Sequence, residues 1–484
     1  MEVKELVVAE DHSIRTALKQ LDKLGSGILF VVSNESKLIG IITDGDIRRS
    51  LINDVSLEAE VGTIMNKNFI ALPVGSPNVS ILNALSDRIK TIPLIDKEGK
   101  VVDYATRNRL RKIPIASPQL EGNELAYVTD CIRTNWISSQ GKYVTEFERL
   151  FSSFHNEYHA LAVSNGTVAL HLALVALGIG EGDEVIVPNL TFAASINAII
   201  YTGATPVLVD VDPTSWNISV EHARRAVTSR TRAIMPVHLY GQPCEMTEIV
   251  ELARGYELKI IEDCAEALGS QYHGNPVGIF GDAATFSFFG NKTITTGEGG
   301  MILFKDKSIF EKANVLRDHG MNKSRRYWHD MVGYNYRLTN LQAAIGVAQF
   351  ERLGAFVERK RNAAAAYDAV LSQSSFFQTP VDQPEKFNSY WLYTFLIKSH
   401  SPFSRDEFMD YMTSRSIETR PVFYPLHEMP PYQEFGNPEE LRISKAISDS
   451  GVSLPSSVNL TQGELEYICR TIAEFVEEKS SIQV

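Results

Sequence analysis

TFSFFGNKTITTGEGGMILF, residues Thr285–Phe304, reads as an apolar strand, a turn and a second apolar strand, with one lysine, Lys292, set at the mouth of the turn. Thr and Gly dominate the turn, as a tight reversal requires. A lysine in that position is partly desolvated, which lowers its pKa and leaves a neutral amine able to attack an aldehyde. A solvated loop lysine is the competing reading, and the loop alone does not defeat it.

Two upstream elements shift the balance. LKIIEDCAEALGS, Leu258–Ser270, puts Asp263 at the carboxyl end of a short apolar strand. Ligands of open α/β sheets gather at that end, and a carboxylate there can pair with the pyridinium nitrogen of pyridoxal phosphate (PLP), keeping the ring protonated as an electron sink. AVSNGTVALHLALVALGIGEGDEV, Ala162–Val185, runs from a strand through a glycine turn into a helix. The backbone N–H groups of Gly166 and Thr167 would then face an anion at a helix N-terminus, where the dipole also favours phosphate.

Around these motifs the runs EVIVPN, TPVLVDVD, AIMPVHLY and KIIEDC are short, rich in Val and Ile, and separated by helix-length segments. That alternation predicts an α/β fold on a largely parallel sheet. From about residue 355 it loosens into helices and a few strands, as in a smaller C-terminal subdomain. The expected division is an N-terminal region 1–112, a linker 113–120 carrying Pro114 and Pro118, a large domain 121–354 and a small subdomain 355–484.

With 484 residues the chain is too long for one ordinary core. Its formal charge of −12 comes without a Lys/Arg-rich block, which argues against nucleic acid as a partner. No apolar run reaches the roughly 20 residues needed to span a bilayer, and the first residues, MEVKELVVAEDHS, lack the apolar stretch of a signal peptide, so a cytoplasmic protein is expected. Cys131, Cys244, Cys264 and Cys469 are scattered without CxxC spacing, which predicts reduced thiols and no metal site.

Taken in order, these elements resemble the DegT/DnrJ/EryC-type sugar aminotransferases. The resemblance runs from Ile115 to the C-terminus and includes SPQLEGNE, GDEVIVPNLTFAASINAI and NYRLTNLQAAIG. It implies the fold-type I PLP architecture and a homodimer. It also implies roles at matching positions. Lys292 would attach the cofactor, Asp263 would meet the ring nitrogen, and Phe192, in PNLTFAAS, would stack on the pyridine face. Ser287 would hold the phosphate with Gly166 and Thr167, and Asn335, in VGYNYRLTNLQAA, would reach the phosphate of the neighbouring subunit. Glu266 stands where many relatives have His or Gln near the ring hydroxyl, and a carboxylate there must be protonated or hydrogen-bonded to avoid repelling a phenolate. His427, in FYPLHEMPPY, matches a position near the sugar. Each has a structural alternative: Phe192 a core aromatic, Asn335 a turn or capping residue, His427 a histidine satisfied by local backbone.

The first hundred residues hold two similar passages about 60 residues apart, SIRTALKQLDKLG–GILFVVSN–KLIGIITDGDIRRSL and SPNVSILNALSDR–TIPLIDKEGKVVDYATRNRLR. Each is too small to bury much core alone, so the two should pack together. They resemble a pair of CBS domains, which often bind adenine nucleotides between the repeats. Thr43 and Asp46 in ITDGDIRR match the ribose-phosphate contacts, while the second copy keeps Thr106 but has Asn108 in place of the acid. The alternative is a pair that only packs or dimerises.

The resemblance implies amino transfer from glutamate to a nucleotide-linked 4-keto-6-deoxy sugar. EDCAEALGS, RRYWHDMVGYNYRLTNLQAAIG and FYPLHEMPPY are most similar to the members that make GDP-perosamine, with UDP- or dTDP-linked keto sugars as alternatives. A PLP-dependent sugar dehydratase would carry histidine where Lys292 stands. A nucleotide sensor built on the CBS pair, with a vestigial PLP fold, would be expected to show degraded cofactor positions.

Overall fold

A computed structural model describes residues 3–86, 88–107, 112–322, 324–381 and 383–481. The chain forms two compact units, 1–113 with 413–417, and 114–412 with 418–484.

The second unit is organised by seven strands: β1 His159–Val163, β2 Glu184–Pro188, β3 Thr205–Val209, β4 Thr231–Ile234, β5 Lys259–Asp263, β6 Ala283–Ser287 and β7 Gly300–Phe304. They lie in the order β1-β7-β6-β5-β4-β2-β3. Only β7 runs against its neighbours, pairing antiparallel with β1 and β6, so the sheet is mixed and mostly parallel. Every residue of β2 and β7 is buried, the signature of strands covered on both faces. On one face Phe147, Phe151, Phe286 and Phe288 form a buried aromatic cluster, each contributing roughly 2 kcal/mol by leaving water. The helix α1, Gly166–Ala176, is apolar nearly all round and packs into the core of the sheet's other cluster.

The run AIMPVHLY is not one strand. β4 occupies Thr231–Ile234 and stops before Pro236, which has no N–H for a ladder; Val237 adds only an isolated bridge to Asp263. The C-terminal part carries a four-stranded antiparallel sheet in the order Phe377–Gln378, Tyr393–Ile397, Gly451–Leu454, Arg420–Pro421. Helix Leu353–Leu371 runs through position 355, and the second unit is not divided there. Nor is 114–120 a free tether. Ile115 is fully buried and donates its N–H to Glu418 Oε2 at 3.0 Å, while Ser117 donates to Ser457 Oγ at 2.9 Å.

The first unit contains the expected repeat as two three-stranded sheets, Val7–Ala9/Ile28–Val32/Leu38–Thr43 and Leu72–Pro73/Thr91–Ile95/Val101–Thr106. In each, the first pairing is parallel and the second antiparallel. Helix Ile14–Leu24 begins at an Ser13 cap and ends on Gly25 in the left-handed region, φ 58°. Asn108 lies outside the described residues. Among the described residues no helix is long and apolar enough to cross a membrane, and the four cysteines are unpaired.

Candidate active site

The site forms where β5 and β6 end. Asp263, the last residue of β5, is buried; its carboxylate accepts Ser195 Oγ–H at 2.8 Å and the Ala265 N–H at 3.1 Å. Burial raises its pKa, against those hydrogen bonds and the nearby Lys292 charge. A cationic ring nitrogen beside it would restore the balance in favour of the carboxylate.

Next to it, β6 ends at Ser287, facing the start of α1. A Cβ on Gly166 would come within 2.8 Å of Ser287 Cβ, so only glycine lets the two strand–helix corners close into a cradle. Asn165 caps α1 by taking the Val168 N–H at 3.0 Å, and the earlier N–H groups at Gly166 and Thr167 have no partner within the helix. The cradle and the helix dipole fit a phosphate.

Lys292 enters from the turn after β6, where its N–H bonds Phe289 O at 2.9 Å. Its side chain is 13% exposed, and Nζ sits 3.8 Å from Glu266 Oε1 and 3.8 Å from the centre of the Trp391 ring. Burial lowers the amine's pKa, opposed by Glu266 and Asp263. The reading of Lys292 as a solvated loop lysine is thereby overturned. Glu266 Oε2 accepts the Tyr240 N–H at 2.8 Å, the neighbouring donor its position required. Tyr240 has φ 53°, a conformation a tyrosine holds only when its surroundings fix it. Here the ring is stacked between Trp391, at 6.0 Å, and Phe423, at 5.4 Å.

Of the remaining expected residues, Phe192 is 59% exposed, with Phe423 at 5.9 Å, so it is not a core aromatic. Asn335 is exposed and accepts from Arg337 Nε at 3.2 Å. His427 is buried away from bulk water; Nδ1 meets the Asn189 side-chain amide at 2.9 Å, and its N–H bonds Asn189 Oδ1 at 3.1 Å. Desolvation lowers its pKa. The histidine is thus tied to the end of β2 by a side chain, not satisfied by local backbone alone.

Trp391, Tyr240, Ser195 and Asn189 were not singled out by sequence. Ser195 lies in the quoted run PNLTFAAS, but nothing local marks it as the partner of Asp263. Asn189 lies in the same run and Tyr240 in AIMPVHLY, but they and Trp391 meet their partners His427, Glu266 and Asn291 from segments far apart in the chain. His238, Glu262 and Cys264 also bring potential ligand atoms within 4.8 Å of one another. The Glu262 oxygens accept N–H groups of Gly278, Phe280 and Gly281, each at 2.8 Å, and His238 Nδ1 accepts the Cys244 N–H at 3.0 Å, so this buried cluster reads as structural.

In the first unit Thr43 and Asp46 form a reciprocal cap on helix Asp44–Ile52. Thr43 Oγ1 takes the Asp46 N–H at 3.3 Å, and Asp46 Oδ2 takes the Thr43 N–H at 2.9 Å. Both also line a cleft of 820 Å³ with Arg49, Arg88 and Lys90.

The chain belongs to the DegT/DnrJ/EryC1/StrS aminotransferase family, whose model matches residues 118–473; a CBS-domain model matches residues 1–53. It is 48% identical over 370 residues to the GDP-perosamine synthase of Escherichia coli O157:H7, covering 76% of this chain and all of that one. The GDP-perosamine synthase of Caulobacter vibrioides is 46% identical, covering 74% of this chain and 97% of its own. Among solved structures, the aminotransferase TlmJ from Streptoalloteichus hindustanus superposes with a TM-score of 0.72 at 29% identity, covering 76% of this chain and 99% of that one. The PLP form of Spr1654 from Streptococcus pneumoniae has a TM-score of 0.72 at 26% identity, covering 76% and 99%.

Burial pushes Glu266 from its ordinary 4.5 up to about 7, with Lys292 and the Tyr240 N–H pulling the other way. The folded protein therefore keeps a proton there that the unfolded chain gives up, and between those two values this group's stabilisation is lost as pH rises. Glu266→Gln is expected to flatten the fall in Tm across that window relative to the unsubstituted protein. Parallel Tm–pH profiles for the two proteins would contradict the assignment.

Proposed function

We propose that this chain is a PLP-dependent transaminase that moves the amino group of glutamate onto GDP-4-keto-6-deoxy-mannose to form GDP-perosamine. The observation that carries the cofactor reading is the desolvated Lys292 amine held beside Glu266 and near Asp263, with Ser287 closely approached by Gly166 at a helix N-terminus. The sugar reading is supported by the three GDP-perosamine synthases that match at 44 to 48% identity.

When bound, PLP supplies an aldehyde that accepts an amine and a protonated ring that draws electrons from the amino-bearing carbon. Lys292 would hold it, and its freed amine would serve as the base and acid that moves the proton at the amino-bearing carbon. Asp263, fixed by Ser195, would keep the ring nitrogen protonated. Gly166, Thr167 and Ser287 would hold the phosphate, Phe192 would cover the ring, Glu266 would serve the ring hydroxyl and His427 the sugar. Asn335 completes the phosphate site of a second copy. The exposure of Tyr327 at 76%, Trp328 at 49% and Val332 at 93%, all in one segment near Asn335, supports a homodimer that covers it.

Lys292→Ala is expected to abolish amino transfer while the protein keeps its fold, and assay of the unsubstituted enzyme against GDP-, UDP- and dTDP-linked 4-keto sugars should show turnover chiefly with the GDP sugar. Substantial turnover by the variant would overturn the role of Lys292; preference for a UDP or dTDP sugar would overturn the substrate.

A second reading concerns regulation and rests on the cleft of the first unit, where Thr43 and Asp46 are joined by Arg49, Arg88 and Lys90 and by the carboxylates of Asp22 and Asp44. Residues 1–112 act as a nucleotide-responsive module, and a nucleotide changes activity only if it binds one state of that module better than another. Calorimetry of the full-length protein with adenine and guanine nucleotides should detect binding; no heat with either class would leave the module a packing or dimerisation element.

A further inference from the structure

Trp391 meets the Lys292 turn at two points. Its indole Nε1–H donates to the main-chain oxygen of Asn291 at 2.8 Å, fixing the residue before the lysine, and its ring face lies 3.8 Å from Lys292 Nζ. The tryptophan is itself held from both sides. Its carbonyl accepts the buried Lys360 Nζ at 3.0 Å, and its ring stacks on Tyr240 with an interplanar angle of 11°. Tyr240 in turn donates to Glu266, so the aromatic face and the carboxylate that flank the amine are set by one residue.

We propose that the face of Trp391 is the docking place of the Lys292 amine whenever that amine is free, which makes Trp391 a positioning residue for the lysine. The inference rests on the reading of Lys292 given above. A lysine that must let go of a cofactor and return a proton to the same place needs a defined resting position. An indole face helps to define one without adding a second counter-charge to that of Glu266: it attracts the ammonium through the ring quadrupole. Glu266 on the other side, at 3.8 Å, supplies the only ion pair Lys292 makes among the described residues, and the buried Asp263 adds a more distant negative charge.

Because the ring face favours the charged amine, weakening the quadrupole without changing the ring's size should make Lys292 lose its proton at lower pH. The groups that face it, Glu266, Asp263 and the Trp391-anchoring Lys360, are unchanged by such a substitution. Lys360 is itself pushed down to about 7 by burial, so its titration is followed separately on its own peptide.

The test is the pH dependence of trace acetylation of Lys292 in the cofactor-stripped full-length chain, read by peptide mass spectrometry, with tryptophan replaced biosynthetically by analogues carrying increasing numbers of ring fluorines. The labelling midpoint is expected to fall stepwise, by about one pH unit over the series. The chain has four tryptophans, so the same series is run in Trp391→Phe, where the midpoint should no longer respond to fluorination. A midpoint that ignores fluorination, or a response that persists in Trp391→Phe, overturns the proposal. Retained turnover in Lys292→Ala would instead overturn the reading of Lys292 and leave the midpoint shift standing.

Discussion

A lysine amine taken out of water is the interaction around which the second unit is arranged. Burying a charge is costly unless it is paired, so the Lys292 amine responds in two ways: its own pKa falls, and it is placed against an acid and an aromatic face. Glu266 responds in the opposite sense, its proton held up to about 7. The two shifts run toward each other, the amine's down and the acid's up, which suits a base that must give and take a proton in the same cycle.

The sheet makes that arrangement possible. Parallel strands β2, β4, β5 and β6 end on one edge, and the reversed β7 closes the pocket side by returning the chain after the Lys292 turn. Asp263 at the end of β5 and Ser287 at the end of β6 are therefore neighbours by topology, not by sequence. The α1 N-terminus reaches the same edge because glycine at 166 lets the helix start against Ser287. Tyr240 is bent into a left-handed turn after β4, and this strained corner delivers both an N–H to Glu266 and a ring to Trp391.

Residues inside contiguous motifs were legible from sequence. Lys292, Asp263 and Gly166 each sit in a strand–turn or strand–helix pattern whose local chemistry points to a site, whereas Glu266 and Ser287 come only from the family resemblance, and the fold brings all five to one sheet edge. Trp391 and Tyr240 were not legible, because each matters through a contact with a segment far away in the chain, and an isolated tryptophan or tyrosine carries no local sign of that. Pro236 misled the strand reading of AIMPVHLY, since β-branched composition outweighed the missing N–H. In the first unit the resemblance points the Thr43–Asp46 pair to nucleotide chemistry, whereas Thr-x-x-Asp at a helix start is also a capping box, and the structure uses it as one.

That cap and the cleft beside it are compatible, since Thr43 and Asp46 line the cavity while holding the helix start. The two units thus pose separate questions, and the chemical one is the more direct to settle. Hydride reduction of the purified, cofactor-loaded protein followed by peptide mass mapping should place a single pyridoxyl mass on the peptide containing Lys292. The same mass on any other lysine, or none at all with cofactor bound, would contradict the account.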